Sequence, residues 1–595
     1  MREYKAVTPN ETISIINSIL ERIGIKTKRI VFGKQGICNS VRLIISGPGF
    51  DNLDIGTNGK GMSEAYAIAS AYGEMMERLE NKMLLFYIKY ASPEFRMERA
   101  EYHNLFPDKL SFRYFPDEEY IRISGRQLCE WGRKLLPKSP LFENSLLDTK
   151  YSMPFVPFYD VFSDKEEKLP YDLIRFAAGS TGLCAGNVSK EAILQGINEI
   201  FERYVLQHIY LDQPVLPTIP LCDIASDDIL YRFGKLSEDR NWRFIIKDCS
   251  LGQGFPVIGL LVIDDVNGTY TFRLGSDTCP EVALRRCFTE IFQGTDINDS
   301  AFMPIDVSDT YDMALEYKKN LMNGRGRFPS CIFLGKTRRI SKNQIIDKET
   351  ISENFDSVIK WLKDHSYKLY IRDNSFLGFP AYHIYIPGLS DVDSRLFNIR
   401  ECLLHDSDYY KLPMELRSDS LTSEESRAFI FKYSCSKQAN IDLVGFSWSR
   451  YRFINRNLLL ALVSFRLGKT SEACRFMNDF LCNQQKSGQK LGKYYYCIRD
   501  YFALSNGVFS QKDVTEILGT LYGENTAKEV MCDCSSPNNI MSALPLPKCF
   551  ECSKCALNKE CGYEALIELE SKIQKIQKLN LICQSDIRIL FYGVS

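Results

Sequence analysis

The chain has 595 residues, which at about 150 residues per domain is enough for roughly three or four structural units. It is 45% hydrophobic and 25% charged, so a substantial core forms and wholesale disorder is excluded. Lys and Arg total 74 against 75 Asp and Glu, a formal charge of -1, so no global field draws the protein to nucleic acid or to an anionic membrane.

The opening run MREYKAVTPNETISIINSIL has no apolar signal segment, and no stretch approaches the ~18 apolar residues of a membrane span, so the expected address is cytoplasmic. Ile13, Ile16, Ile19, Leu20 and Ile23 recur at helical spacing and predict a helix that ends before Gly24. Strand-like runs follow at Arg29 to Phe32 and Val41 to Ile45, and then Gly56-Thr57-Asn58-Gly59-Lys60-Gly61 reads as a turn. It introduces a long helix from about Ser63 to Ile88, rich in Ala, Met, Leu and Glu. Similar helices run from about Ser189 to Tyr210 and from Glu281 to Phe292, with β-rich stretches at 255–263 and 381–386.

Strands interleaved with helices predict an α+β layered domain over 1–405. A polar, Ser-rich connection covers 406–445 and an all-α, tetratricopeptide-like helical domain 446–525, where Leu458 to Leu462, Gly468, Ala473 and Phe476 outline one hairpin. Residues 526–595 form a Cys-rich segment and a terminal helix. Most of the 20 Cys are scattered, as at Cys184, Cys287 and Cys474, and read as buried free thiols.

The chemistry is carried by a repeated pattern. The first long helix contains Glu74 and Glu77 followed by Arg78, and the second contains Glu199 and Glu202 followed by Arg203, each pair at i and i+3 on one helix face. Apolar neighbours surround both pairs, so the carboxylates face an interior or a cleft, where they repel unless a cation compensates them. Mg2+ takes such hard oxygen donors and shares them with phosphates. Lys60 between two glycines, Asn187 ahead of Glu191 and Gln195, and Arg286, Glu290 and Gln293 on the third helix supply polar groups suited to a nucleotide. No Walker A loop is present, since Gly335-Lys336-Thr337 and Gly468-Lys469-Thr470 lack its earlier glycine.

The order TNGKG, S-x-x-x-E-x-x-E-R, STGLCAGN with E-A-x-x-x-G-x-x-E-x-x-E-R-Y, and T-E-x-x-Q-G resembles the YcaO family over roughly residues 1 to 405. The resemblance implies an ATP-dependent enzyme that phosphorylates a backbone amide oxygen of a peptide or protein for nucleophilic attack, giving an azoline or a thioamide. It implies Mg2+ ligands at Glu74, Glu77, Glu199 and Glu202, with Glu290 as a further member. Nucleotide contacts are implied at Ser70, Asn187, Glu191, Gln195, Arg203, Arg286 and Gln293, and at Lys5 and Thr12 through a weaker N-terminal element. Azoline-forming members commonly end in a Pro-rich tail, whereas this sequence ends Ile589-Leu590-Phe591-Tyr592-Gly593-Val594-Ser595. The chain therefore looks more like long members with a helical extension, some linked to an accessory role in ribosomal-protein methylthiolation. A homodimer and a leader-binding or methylthiotransferase partner are expected on the same ground.

Cys549, Cys552, Cys555 and Cys561 form C-x-x-C-x-x-C-x5-C, a spacing suited to a zinc or iron–sulfur site made of thiolates alone, because none of the five His lies near. His208 and His383 read as core or sheet residues. Leu566, Leu569, Ile573 and Ile576 mark the apolar face of the terminal helix. The competing reading is a YcaO-like scaffold that binds a peptide or partner enzyme through its helical domain without turnover; the intact Glu set argues against it.

Overall fold

Thr8 opens the first helix, α1 (Pro9–Ile23): its side chain accepts from the Glu11 amide, the Glu11 carboxylate returns to the Thr8 amide, and Gly24 closes the helix at φ 81. The computed structural model describes residues 5–34, 37–51, 55–84, 115–138, 150–293, 302–306, 308, 310–338, 347–392, 440–442, 453–486, 491–505, 507–536, 539–543 and 563–593. By density of contacts the chain forms two units, one of Met1–Leu85, Arg113–Leu404 and Tyr563–Ser595, the other of Phe86–Phe112 and His405–Gly562. The fold is α+β in the first and helical in the C-terminal part.

In the first unit α1 is followed by β1 (Lys26–Lys34), β2 (Cys38–Ser46) and β3 (Gly56–Gly61), an antiparallel sheet in that order. The segment 56–61 is thus a strand, where its glycines had predicted a turn. Those glycines serve close packing: a Cβ on Gly59 would stand 2.0 Å from the Ala67 carbonyl of α2 (Glu64–Glu80), the helix that lies across β3. This helix also stops short of its expected end. Asn81 caps it, and Lys82 turns into the left-handed region at φ 60.

Next come β4 (Glu119–Ser124), α3 (Gly125–Leu135), β5 (Lys150–Asp160), β6 (Lys165–Pro170), α4 (Tyr171–Ala178), β7 (Leu183–Ala185), the long α5 (Ser189–Asp212), β8 (Thr218–Ile219), α6 (Asp227–Arg240), β9 (Trp242–Asp248), β10 (Val257–Asp264), β11 (Thr269–Ser276), α7 (Pro280–Glu290), β12 (Met303–Pro304), α8 (Met313–Asn323), α9 (Ile351–Asp364), β13 (Tyr370–Asp373) and β14 (Ala381–Tyr385). One sheet runs β4-β5-β13-β14-β7 with β6 on β5, and a second runs β12-β11-β10-β9-β8.

Helix α2 packs on β7 and β14 of the first of these sheets, α5 packs on β7 and β14 and also on β11 of the second, and α7 covers β10 and β11 and touches β3. Three helices from distant parts of the chain thereby meet along one seam. The approach of α5 to the sheet depends on Gly196, where a Cβ would fall 2.8 Å from Cys184 Sγ and from Ile384 Cδ1. Ile193, Ile197, Ile200, Phe201, Val205 and Ile209 of α5 enter one core with Leu261, Phe272, Ile371 and Ile384 of both sheets.

Beyond the helical part, the chain returns to the first unit through α15 (Tyr563–Leu579) and α16 (Arg588–Tyr592). Leu569, Ile573 and Ile587 are buried there. The spacing of Leu569 and Ile573 marked a packing face, but only the folded chain assigns that face to the first unit.

The second unit contains the antiparallel pair β15 (Asn440–Asp442) and β16 (Phe453–Asn455), then α10 (Arg456–Arg466), α11 (Thr470–Lys486), α12 (Lys493–Leu504), α13 (Gln511–Tyr522) and α14 (Glu524–Asp533). Successive helices pack on one another, with Leu459, Ala461, Ala473, Met477 and Phe502 among the buried contacts. Cys474 is half-buried and Cys222, Cys482, Cys532 and Cys583 are exposed, so the expectation of scattered buried thiols holds for Cys184 and Cys287 but not for these. No described helix is long and apolar enough to cross a membrane.

Candidate active site

Glu74 and Glu77 stand one turn apart on α2, Glu199 and Glu202 one turn apart on α5, and the seam between the helices brings the pairs into each other's field. Burial holds the Glu77 carboxyl well above the ordinary carboxylate range; Arg78 opposes the shift, and the charges of Glu199 and Glu74 add to it. Glu199 is raised for the same leading reason, with Arg203 and Arg78 opposing and Glu202 adding.

The cations of the site come from the same motifs. Arg78 lies 3.7 Å from Glu74 and 3.5 Å from Glu77, and Arg203 lies 3.8 Å from Glu199. Lys60, projecting from β3, pairs with Glu290 at the end of α7 and donates to Gln293 Oε1 at 2.9 Å, while Gln293 Nε2 donates to the Asn58 carbonyl at 3.4 Å. Burial lowers the Lys60 ammonium to about 8, against the attraction of Glu202 and Glu74 and with the repulsion of Arg286 and Arg203.

Among the described residues no three His, Cys, Asp or Glu side chains stand as a finished metal site. Of the expected Mg2+ set, Glu74 and Glu77 turn toward Arg78, Glu199 toward Arg203 and Glu290 toward Lys60. Their chemistry fits a divalent ion all the same: they are half-buried oxygen donors, and two of them are raised by burial and by the charge of neighbouring carboxylates, Glu77 by Glu199 and Glu74, and Glu199 by Glu202. The thiols of Cys184 and Cys287 are buried within the field of these carboxylates, pushed up first by burial and further by Glu77 and Glu199 in one case and by Glu202 in the other.

A second cluster lies at the N-terminal end of α5. The Glu191 carboxylate accepts from Lys5 Nζ at 3.1 Å, from the Ala6 amide at 2.9 Å and from Asn187 Nδ2 at 3.2 Å. Lys5 also donates to Gln195 Oε1 at 3.2 Å, and Thr12 Oγ1 donates to Asn187 Oδ1 at 2.9 Å. Arg286 bonds Asp277 at 3.1 Å, and with Lys5, Glu191 and Gln195 it lines one cavity. Ser70 is exposed on α2, one turn before Glu74. The structure thus puts Lys5, Thr12, Asn187, Glu191, Gln195 and Arg286 at one end of the seam and Lys60, Arg203, Gln293 and the five Glu at the other.

Sequence reasoning missed Asn198. Its Oδ1 is buried without a hydrogen-bond partner among the described residues, and it lines the same cavity as Lys5 and Arg286. The signal was present as spacing, because Glu191, Gln195, Asn198 and Glu202 follow one another by four, three and four residues on one face of α5. At 1.5 Å per residue this polar stripe covers about 16 Å of helix.

His383 is buried on β14 between the rings of Phe158 and Tyr171, and burial pushes its imidazole down to about 3, so it is neutral. His208 bonds Asp212 on α5. Cys549, Cys552, Cys555 and Cys561 lie outside the described residues.

Comparison with known proteins bears on the family. The family described as YcaO cyclodehydratase, ATP- and Mg2+-binding, matches residues 58–390. The Ribosomal protein S12 methylthiotransferase accessory factor YcaO of Escherichia coli is 26% identical over 347 residues, 56% of this chain and 57% of that protein. This chain therefore spans little more than half of that relative's length. An uncharacterized protein of Haemophilus influenzae is 24% identical over 557 residues, covering 88% of this chain and 90% of its own. The structure of YcaO from Methanopyrus kandleri bound with AMPPCP and Mg2+ is similar at a TM-score of 0.40 and 15% identity over 65% of this chain and 92% of that one. With more than half of its residues matched by the family, the chain belongs to the YcaO family.

Proposed function

We propose that the protein is an ATP-dependent enzyme that activates a backbone amide of a peptide or protein. The observation that carries this reading is the meeting of two E-x-x-E-R helices, where burial and the charge of neighbouring carboxylates raise Glu77 and Glu199 in a way that a bound cation relieves. Glu74, Glu77, Glu199, Glu202 and Glu290 would hold Mg2+, which when bound neutralises charge developing on a transferring phosphoryl group. The stripe from Glu191 to Glu202 gives a nucleotide a track along α5, with its base end toward Lys5, Asn198 and Arg286 and its phosphates toward Lys60 and Arg203.

In the reaction so proposed, the amide oxygen takes the γ-phosphoryl group of ATP, ADP departs, a nucleophile adds to the activated carbon, and phosphate leaves. Arg203 and Lys60 would meet the charge of that transfer. The amide oxygen, a poor leaving group by itself, becomes a good one. A side-chain thiol or hydroxyl would close an azoline and sulfide would give a thioamide. The likeness to the Escherichia coli accessory factor supports a role beside a methylthiotransferase, and the four thiols at 549–561 extend the reading with a zinc or iron–sulfur site testable by metal analysis.

Calorimetry of ATP binding with and without Mg2+ tests the proposal. Wild type is expected to bind more tightly with Mg2+, and Glu77→Gln or Glu202→Gln to lose about tenfold or more of that gain. Unchanged affinity in both variants overturns it.

A further inference from the structure

The returning C-terminal segment meets the helix that carries half of the carboxylates. Asn81, which caps α2, donates to the Glu77 carbonyl from its backbone at 3.1 Å and from Nδ2 at 2.9 Å, so the main chain of Glu77 is held by Asn81. Asn81 Oδ1 accepts from Asn374 Nδ2 at 2.8 Å, and Asn374 Oδ1 accepts from Arg372 Nε at 3.0 Å. The neighbouring Glu80 accepts from the Leu377 amide at 2.8 Å. The end of α2 is therefore bonded to the loop between β13 and β14.

The same loop is gripped from its other side by the C-terminal segment. Gln584 Oε1 accepts from the Asp373 amide at 2.7 Å, its Nε2 donates to the Asp373 carbonyl at 3.1 Å, and Asn580 Nδ2 donates to the Phe376 carbonyl at 2.9 Å. The contact then passes directly to the helix end. Lys82 Nζ lies 3.2 Å from Glu570 of α15, with side chains 1% and 5% exposed, and 5.6 Å from the centre of the Phe376 ring. A lysine at φ 60 persists only where its surroundings over-determine it, and here the ion pair does so.

A buried ion pair is a weak source of net stability, because desolvation of both charges cancels much of their attraction, but it fixes geometry closely. Lys82 is five residues past Glu77, so a rotation at the helix end moves the Glu77 carboxylate relative to Glu199 on α5. We propose that the segment 563–593 is a positioning clamp for the α2 carboxylates, acting through the Lys82–Glu570 pair and the 373–380 loop. The proposal rests on the reading of Glu74 and Glu77 as cation ligands. Glu570 and Lys82 are positioning residues; neither reaches the seam itself.

The test uses the full chain and the non-hydrolysable nucleotide AMPPNP, titrated by calorimetry at a series of Mg2+ concentrations and without Mg2+. In Glu570→Gln the Mg2+ concentration at half-saturation is expected to rise about tenfold, the size usual when a group orienting a metal ligand is lost, with Mg2+-free nucleotide affinity unchanged. Amide exchange over 74–82 is expected to speed up. The double variant Lys82→Met with Glu570→Leu restores an apolar, matched contact and guards against a variant that simply fails to fold; it is expected to recover thermal stability while keeping the Mg2+ defect. A double variant with wild-type stability and wild-type Mg2+ dependence overturns the clamp while leaving the active-site reading intact. Wild-type protein that shows no Mg2+-dependent binding overturns both.

Discussion

Lys5 Nζ rests 3.1 Å from the Glu191 carboxylate across 186 residues of sequence, joining the segment ahead of α1 to the first turn of α5. Glu191 is buried and accepts from this ammonium, the Ala6 amide and Asn187, so its removal takes an acceptor from the Ala6 amide and Asn187 and leaves Lys5 with Gln195. Glu191→Ala is expected to weaken nucleotide binding by at least about 1.5 kcal/mol, the scale of a hydrogen bond to a charged group, or roughly tenfold in Kd. Calorimetry on the variant measures it, and Lys5→Ala is expected to follow in the same direction with a smaller loss, since Lys5 is partly exposed.

The raised Glu77 carboxyl gives the site a pH signature. A proton and a cation compete for the same oxygens, so the Mg2+ requirement for nucleotide binding is expected to fall as pH rises from the ordinary carboxylate value through the raised one. Glu77→Gln has no proton to release and is expected to flatten that dependence. Titrations at pH 5.5, 7 and 8.5 separate the two.

Glu80 offers a stability test away from the seam. It is fully buried, and burial first, then the nearby Asp373, raise its carboxyl well above the usual value, with the Leu377 and Phe379 amides opposing. A raised carboxyl favours the folded state while protonated, and that advantage is lost as pH climbs from the unfolded value through the folded one. Glu80→Gln keeps an acceptor oxygen for the Leu377 amide and is expected to melt near wild type at pH 5 and above it at pH 8. Thermal melts across that range decide it.

Gly59 tests the packing of α2 on β3. A methyl there would fall 2.0 Å from the Ala67 carbonyl and 2.4 Å from the Ala71 amide, distances that force the helix off the strand. Gly59→Ala is expected to cost about 1–3 kcal/mol or more, as overpacking does, and to carry Lys60 away from Glu290 and Gln293. Chemical denaturation and nucleotide titration read the two effects.

The carboxylate pairs were legible because helical spacing alone puts Glu74 with Glu77 and Glu199 with Glu202 on single faces. Lys60 was legible only as a residue type. Its setting was misread, since Gly59 and Gly61 look like turn residues in one dimension and are close-packing residues in three. Asn198 is easily passed over because a lone Asn among Ile197, Glu199 and Ile200 carries no motif; its place on the polar stripe of α5 gains meaning from its buried oxygen, which has no partner among the described residues. The ion pair of Lys82 and Glu570 spans 488 residues, and no local pattern announces a partner at that distance.

Because the chain leaves the first unit near residue 404 and re-enters it at Tyr563, the order of synthesis matters. At about 5–20 residues per second, the intervening stretch delays the appearance of α15 by roughly ten to thirty seconds after β14 has been made. For that interval Lys82, Asp373 and Phe376 wait on the nascent chain without Glu570, Gln584 and Asn580. Ribosome-stalled chains ending shortly before Tyr563 therefore expose a surface that the finished protein hides, a natural handle for a chaperone or a protease to distinguish complete from incomplete molecules.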